Sequence, residues 1–305
     1  STGHDTAAFY DSAGNDYFYG LQSESWLGGD GFFNHAIGFD SVVANATAGG
    51  YDRARLYDSA GNDTLTATPT YALLVGRGLS LTARPFERVD VRASAGYDTA
   101  SLYDSAGNDY FVSYASKSWL GGNGFLHYTT GFDSVNGYAT AGGYDSARLY
   151  DSAGDDTFVG RSDVAWMQGA TFVNYATGFE RVAGVRVHGG YDRAYFFDTA
   201  GNDVFESQQN LSTLTMRGRQ LANATGFQYV EARFTKGGTD QTIVDGLRSS
   251  DAVAGYGSIL DVSRNSYWLR VRNVQYAQAI ATDNQTPRAL LSKIDFVFEQ
   301  LGSWL

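Results

Sequence analysis

The sequence predicts an all-β chain, a right-handed parallel β-helix (solenoid) of repeats about 47 residues long with a C-terminal cap. Three observations lead there. Among 305 residues there are 37 Gly, 21 Tyr and 19 Phe against 3 Pro and no Cys, a mixture that suits strands and tight turns. An eight-residue phrase recurs, LYDSAGND at 56–63 and 102–109, LYDSAGDD at 149–156 and FFDTAGND at 196–203. Two separate markers, the row Asp5, Asp52, Asp98, Asp145, Asp192, Asp240 and the row Phe39, Phe86, Phe132, Phe179, Phe227, keep the same steps of 46 to 48 residues.

Within each repeat a second interval of 11 residues separates Asp52 from Asp63, Asp98 from Asp109 and Asp145 from Asp156. It makes AGGYD and SAGND two versions of one turn, and each repeat two coils of roughly 20–25 residues, each rising by the strand spacing of about 4.8 Å. Between the turns the alternation is strict. Ala54 and Leu56 share one parity and Arg55 and Tyr57 the other, which is a strand with one face inward. A five-bladed propeller is the competing arrangement, but two Gly-Asp corners followed by a long aromatic stretch suit unequal coil sides better than four hairpin-linked strands.

The repeats are expected over 1–257. Residues 258–305 then form a last coil and cap of the same domain, because an open solenoid end exposes unpaired strand edges. A helix is predicted over 286–302, with Thr286 as N-cap, Pro287 at the first helical position and Gly302 beyond its end.

The recurrent corner has two readings. In the first, Gly61 supplies a backbone conformation closed to other residues and Asp58, Asn62 and Asp63 accept backbone N–H groups. In the second, SAGNDTL resembles the calcium-binding nonapeptide of RTX proteins, and structural calcium sits at individual corners with Asp58 and Asp63, or Asp104 and Asp109, as ligands. A continuous calcium ladder is not expected, since a given turn recurs only every second coil, about 9.6 Å along the axis. No cofactor is required.

Rows of aromatic side chains carry the functional reading. Tyr10, Tyr57, Tyr103 and Tyr150 stand on the outward parity before each corner, with Phe197 continuing the row. Trp26, Trp119 and Trp166 share one register with Leu73 and Leu214. The Trp row is open to two readings, a core ladder or an exposed platform on which sugar rings stack their C–H faces. Glu24, Lys117, Asn34, His127 and Asn174 flank that register and differ from repeat to repeat, as residues on a ligand-facing side do.

Composition excludes several classes. A net charge of −11 with only Lys117, Lys236 and Lys293 argues against nucleic acid and anionic membranes. The absence of Cys rules out thiolate metal sites and thiol nucleophiles. No repeat stands apart with a cluster of reactive groups, and the four His do not gather in the repeat frame, so binding is expected before catalysis.

On these motifs the chain resembles the right-handed β-helix carbohydrate-binding modules attached to xylanases. More loosely, it is similar to DSAGND-repeat tails of large secreted bacterial proteins. The resemblance implies a secreted, non-catalytic module for xylan or another β-linked plant polysaccharide, joined to a catalytic domain in a longer chain. It places the ligand on Trp26, Trp119, Trp166 and the Tyr row. The alternatives are a polysaccharide lyase or glycoside hydrolase, and a rigid spacer or adhesin.

Overall fold

The computed structural model describes residues 3–216, 220–265 and 267–305, and every regular element among them is a strand. In Arg53–Tyr57 the side chains of Ala54 and Leu56 are buried while Arg53, Arg55 and Tyr57 face outward, and Thr64–Thr68 does the same with Leu65 and Ala67. A strand of period two hides its apolar face by stacking on strands of the same pattern. Here the stacking is parallel and in register, Tyr17 on Arg53 and Arg53 on Arg88, which makes a β-solenoid of coils about 36 residues apart. The chain divides into two compact units, residues 1–146 with 171–177, and residues 147–170 with 178–305.

In the first unit each repeat supplies five strands. Thr6–Tyr10 lies in one sheet, and the chain turns through 11–16 into the opposite sheet. There it runs as an antiparallel meander of Tyr17–Gly20, Glu24–Gly29 and Phe32–Ile37, then returns to the first sheet as Ser41–Asn45. The next repeat exchanges the sheets. Its flanking strands Arg53–Tyr57 and Arg88–Arg92 join the sheet of the previous meander, and its own meander, Thr64–Thr68, Tyr71–Gly76 and Leu79–Arg84, goes to the other. Equivalent side chains one repeat apart therefore sit on opposite sheets, and those two repeats apart on the same sheet.

This path corrects the double-coil expectation. A coil consumes about 36 residues, not 20–25, because one of its sides in each repeat is a three-stranded meander that fills three layers of the sheet. Nor are AGGYD and SAGND two versions of one turn. Asp52 immediately precedes the strand Arg53–Tyr57, whereas Asp63 closes the corner that follows it, directly before Thr64–Thr68.

The second unit follows the same plan. It has the meander Val204–Gln208, Leu211–Met216 and Gln220–Thr225 in one sheet and Ala252–Gly257, Ile259–Arg264 and Tyr267–Arg272 in the other. The helix predicted over 286–302 is absent. Arg288–Ile294 pairs in parallel with Ala252–Gly257, and Val297–Leu301 with Tyr276–Ala281. Helix signals are a weak prior against the open N–H and C=O groups of a neighbouring sheet edge.

The core between the sheets is made of stacked apolar rungs. In the first unit Phe18, Leu27, Leu56, Leu65, Leu74 and Phe111 are sealed from solvent, and the Phe9, Phe18 and Phe86 rings follow one another at 6.1 and 6.2 Å. In the second, Phe196 lies 6.1 Å from Phe158 and 5.6 Å from Phe205.

Candidate functional site

One sheet of the first unit is ordered Phe32–Ile37, Glu24–Gly29, Tyr17–Gly20, Arg53–Tyr57, Arg88–Arg92, Phe125–Thr130, Lys117–Gly122, Tyr110–Ser113. Its pairing aligns one outward residue from each strand, in the order His35, Trp26, Tyr19, Arg55, Asp90, Tyr128, Trp119, Val112. Neighbouring strands lie about 4.8 Å apart, so Trp26 and Trp119, five strands apart, are separated by about 24 Å.

Each indole belongs to a packed cluster. Tyr19 stacks on Trp26 at 5.3 Å with planes 17° apart, and His35 meets it edge-on at 6.1 Å. Trp119 lies between Tyr114 at 5.9 Å and Tyr128 at 6.0 Å. Charged groups fill the interval between the clusters. The Arg55 guanidinium is 5.7 Å from the Tyr19 ring and 3.7 Å from the Asp90 carboxylate, while Arg88 donates to Asp90 at 2.9 Å and lies 6.0 Å from the Tyr128 ring. At the outer end a shallow hollow of about 340 Å³ is bounded by Tyr17, Tyr19, Trp26 and Phe33, the last of them 67% exposed.

The expected residues separate into three groups. Trp26 and Trp119 are half-buried and outward on the same sheet, which settles the core-or-surface question for both. Glu24 accepts from His35 Nε2 at 2.9 Å on that face, and the Lys117 ammonium lies 5.1 Å from the Tyr114 ring. Asn34 is exposed on the edge strand but has the inward parity of its partner Leu27.

The second group does not form the expected lines, and all of it but Leu214 faces outward. Leu73 lies on the sheet opposite Trp26 and Trp119, because the repeats alternate. Trp166 is half-buried in the second unit with the Arg161 guanidinium 5.3 Å from its ring, and Leu214 is buried. Tyr10 and Tyr103 share one sheet and Tyr57 occupies the other. Tyr10 is open to solvent, Tyr103 stacks on Tyr138 at 4.8 Å, Tyr57 carries Arg92 at 5.8 Å, and Tyr150 is half-buried.

The third group is a correction. His127 and Asn174 are interior. Nε2 of His127 bonds the Thr68 carbonyl at 2.8 Å, and burial pushes its pKa down to about 4. Asn174 accepts from Val135 N at 3.1 Å and donates to the Tyr114 carbonyl at 3.0 Å. Both alternate inward on their strands, so their variation between repeats reflects core polar bridges. The residues that sequence reasoning missed are Tyr19, Tyr114, Tyr128, Arg55, Arg88 and Asp90. For Tyr19 and Tyr128 the signal was the period-two spelling of YFYG and FLHYTT, legible only once these segments are read as meander strands beside the indoles.

The corners also resolve. The DSAGND turn of one repeat docks on the AGGYD turn about 36 residues further on, and each polar side chain of the phrase closes at least one bond. Asp11 accepts from Ala48 N at 2.8 Å, Asn15 from Tyr51 N at 2.8 Å, and Asp16 from Ser12 N at 2.8 Å, while Asp16 N donates to Asp52 at 2.8 Å. Asp52 N in turn donates to Glu87, the residue after the Phe86 marker, at 2.7 Å. The set repeats at Asp58, Asn62, Asp63, Asp98 and Asp133. Gly61 is not in the left-handed region. Its partner Gly96 is, at φ 133°, and a Cβ there would collide with the Gly61 carbonyl.

Each corner thereby gathers three carboxylates, Asp11, Asp16 and Asp52; Asp58, Asp63 and Asp98; Asp104, Asp109 and Asp145; and Asp151, Asp156 and Asp192. In each, one oxygen per residue lies within 4.8 Å of the others. The neighbour of a DSAGND turn is the AGGYD turn of the following coil, so the 9.6 Å argument against shared ligation does not hold. The spacing fits a hard divalent cation with oxygens at about 2.3–2.6 Å, held by the third Asp as well as by the expected Asp58 and Asp63 or Asp104 and Asp109. Charge points the same way. Burial, and then the neighbouring carboxylates, push Asp52 up to about 6, and Asp98 and Asp156 also upward. At the fourth corner a protein cation is already present, for Arg186 Nε donates to Asp192 at 2.7 Å and His188 Nδ1 lies 2.9 Å from Asp151. A divalent ion at the other corners would neutralise the carboxylates and tie adjacent coils. No family matches this chain, and neither a curated protein nor a solved structure matches it.

Proposed function

We propose that the protein is a non-catalytic polysaccharide-binding module that takes a β-linked plant polysaccharide such as xylan along the outward face of the first unit. The observation that carries this reading is the pair of aromatic clusters about 24 Å apart on one sheet, joined by Arg55, Arg88 and Asp90. Two β-1,4-linked sugars span about 10 Å, the length of three extended backbone residues. A segment of about five sugars thus reaches from Trp26 to Trp119. Rings stack at the ends, and the three charged groups in the middle take hydroxyls through guanidinium N–H and carboxylate oxygen. Side chains fixed on strands and packed against one another lose little entropy on binding.

Secretion, and attachment to a catalytic domain in a longer chain, belong to the same proposal, with structural calcium at the corners as its cofactor. A specific feature favours a second reading. Glu24 and His35 form a hydrogen-bonded acid-base pair beside Trp26, the kind of group a lyase or hydrolase needs.

Affinity electrophoresis in gels containing xylan, β-glucan, mannan or pectin, run beside a reducing-sugar and 235 nm assay, tests both. Retardation without product is expected. Trp26→Ala and Trp119→Ala should each weaken binding about tenfold or more and together abolish retardation, with a change in unfolding temperature of a few degrees at most. Retardation unchanged in the double variant would remove the face from consideration. Product formation that is lost in Glu24→Gln would establish the enzyme reading.

A further inference from the structure

In the second unit a cleft of about 260 Å³ opens where the turn after Val204–Gln208 meets the ends of Gln241–Leu247 and Ile259–Arg264. Arg264 lines it, with its side chain only 9% exposed. One end nitrogen donates to the Asp245 carbonyl at 2.8 Å, and the guanidinium lies 5.9 Å from the Tyr267 ring, whose hydroxyl is fixed by Ser207 and Ser212. The Arg264 Nε is buried without an acceptor. The nearest carboxylate, Asp251, is 3.6 Å away, outside hydrogen-bond reach, and it already accepts from Arg248 N at 2.9 Å and Ser250 Oγ at 3.2 Å.

A buried guanidinium held in place by its surroundings yet short of acceptors is costly unless an acceptor arrives from outside. Arg248, exposed on the same cleft, brings a second guanidinium whose side chain has no hydrogen bond or ion pair among the described residues. The rest of the lining, Gln209, Asn210, Ser250 and Asn265, is neutral and polar. Two guanidinium groups suit one planar carboxylate, and amide and hydroxyl groups around them suit several hydroxyls. The cleft is smaller than the usual range for drug-sized ligands, which limits the occupant to about one ring.

We infer that this cleft binds a single uronate residue, with its carboxylate on Arg264 and Arg248 and its hydroxyls on the amide and seryl side chains. The inference is independent of the aromatic face, which lies in the other unit.

Isothermal titration with glucuronate and galacturonate, beside glucose, acetate and sulfate, tests it on the intact chain. A uronate should bind, acetate and sulfate more weakly, and glucose not at all. Arg248→Gln, at an exposed position, should weaken uronate binding about tenfold with an unchanged unfolding temperature, and Arg264→Lys should weaken it further. Glucose binding as well as glucuronate, sulfate binding better than either uronate, no uronate binding, or indifference to Arg248→Gln would each overturn the assignment. Xylan retardation is measured in the same variants. Its persistence in Arg248→Gln keeps failure of this site distinct from failure of the aromatic face.

Discussion

Gly76→Ala should lower the unfolding temperature by about 10 °C, a cost of about 3–5 kcal/mol. After the corner, Thr64–Thr68 turns back through Tyr71–Gly76, and this return brings Gly76 beside Asp63. A Cβ at Gly76 would stand within covalent-bond distance of Asp63 Oδ1 and 2.9 Å from Ser59 Oγ. The buried carboxylate has no room to retreat, because its oxygens accept from Ser59 N and Oγ. Displacing it leaves those donors unpaired and moves a charge into apolar surroundings. The double variant Gly76→Ala with Asp63→Ala should be little worse than Asp63→Ala alone, since the clash with the carboxylate has gone and the Ser59 hydroxyl, no longer held by Asp63, can rotate away; the non-additivity measures the contact. Gly61→Ala is the control, with nothing nearer to its added Cβ than Ser59 Oγ at 3.9 Å. If thermal denaturation found Gly76→Ala and Gly61→Ala equally mild, the corner would not be the tightly packed joint described.

Asp52→Asn should gain stability relative to the parent as pH rises. A carboxyl that holds its proton more tightly in the folded than in the unfolded chain stabilises the fold at low pH. That contribution is lost as pH climbs from about 4, through the folded value of about 6 at Asp52 and Asp240. Above pH 6 each ionised group carries a cost of the order of 2–3 kcal/mol. His127, pushed down to about 4, works in the opposite direction, losing stability as pH falls from about 6.5 through 4, so the whole-protein curve mixes the two. Comparing variant with parent cancels the histidine. In EDTA, the difference in unfolding temperature should be about 4–8 °C more favourable to Asp52→Asn at pH 8 than at pH 4.5. The amide oxygen keeps the bond from Asp16 N, and only the charge is removed. Calcium should raise the parent at pH 8 and close the gap, and Arg186→Gln should enlarge the calcium response by emptying the fourth corner of its own cation. Parallel pH profiles for parent and variant would refute the charge argument, while a calcium-independent gap would refute the ion.

The repeat, the strand parity and the corner phrase were legible because they are local. Ala54 and Leu56 point inward for reasons contained in five residues, and Asp63 bonds Ser59 within its own turn. The path was not legible, because it depends on which strand pairs with which. SWLGG reads equally well as one side of a coil or as the middle strand of a meander, and only pairing decides. That single ambiguity hid Tyr19 and Tyr128 as neighbours of the indoles, put His127 and Asn174 on the wrong face, and made the Trp residues one row instead of alternating positions. The missing helix has a similar cause. Thr286, Pro287 and Gly302 are genuine helix punctuation, yet the segment between them meets open strand edges before it can cap them.

The exchange of sheets from one repeat to the next limits how such a chain can lengthen. Duplicating one 47-residue block in the gene would transfer every later side chain of that unit to the opposite side, so that a ligand-facing Trp would become its mirror position across the core. Duplicating two blocks restores the original facing. Growth by even numbers preserves an inherited binding surface, and growth by odd numbers turns it over. Selection on one face would therefore be recorded as a parity rule in the number of repeats.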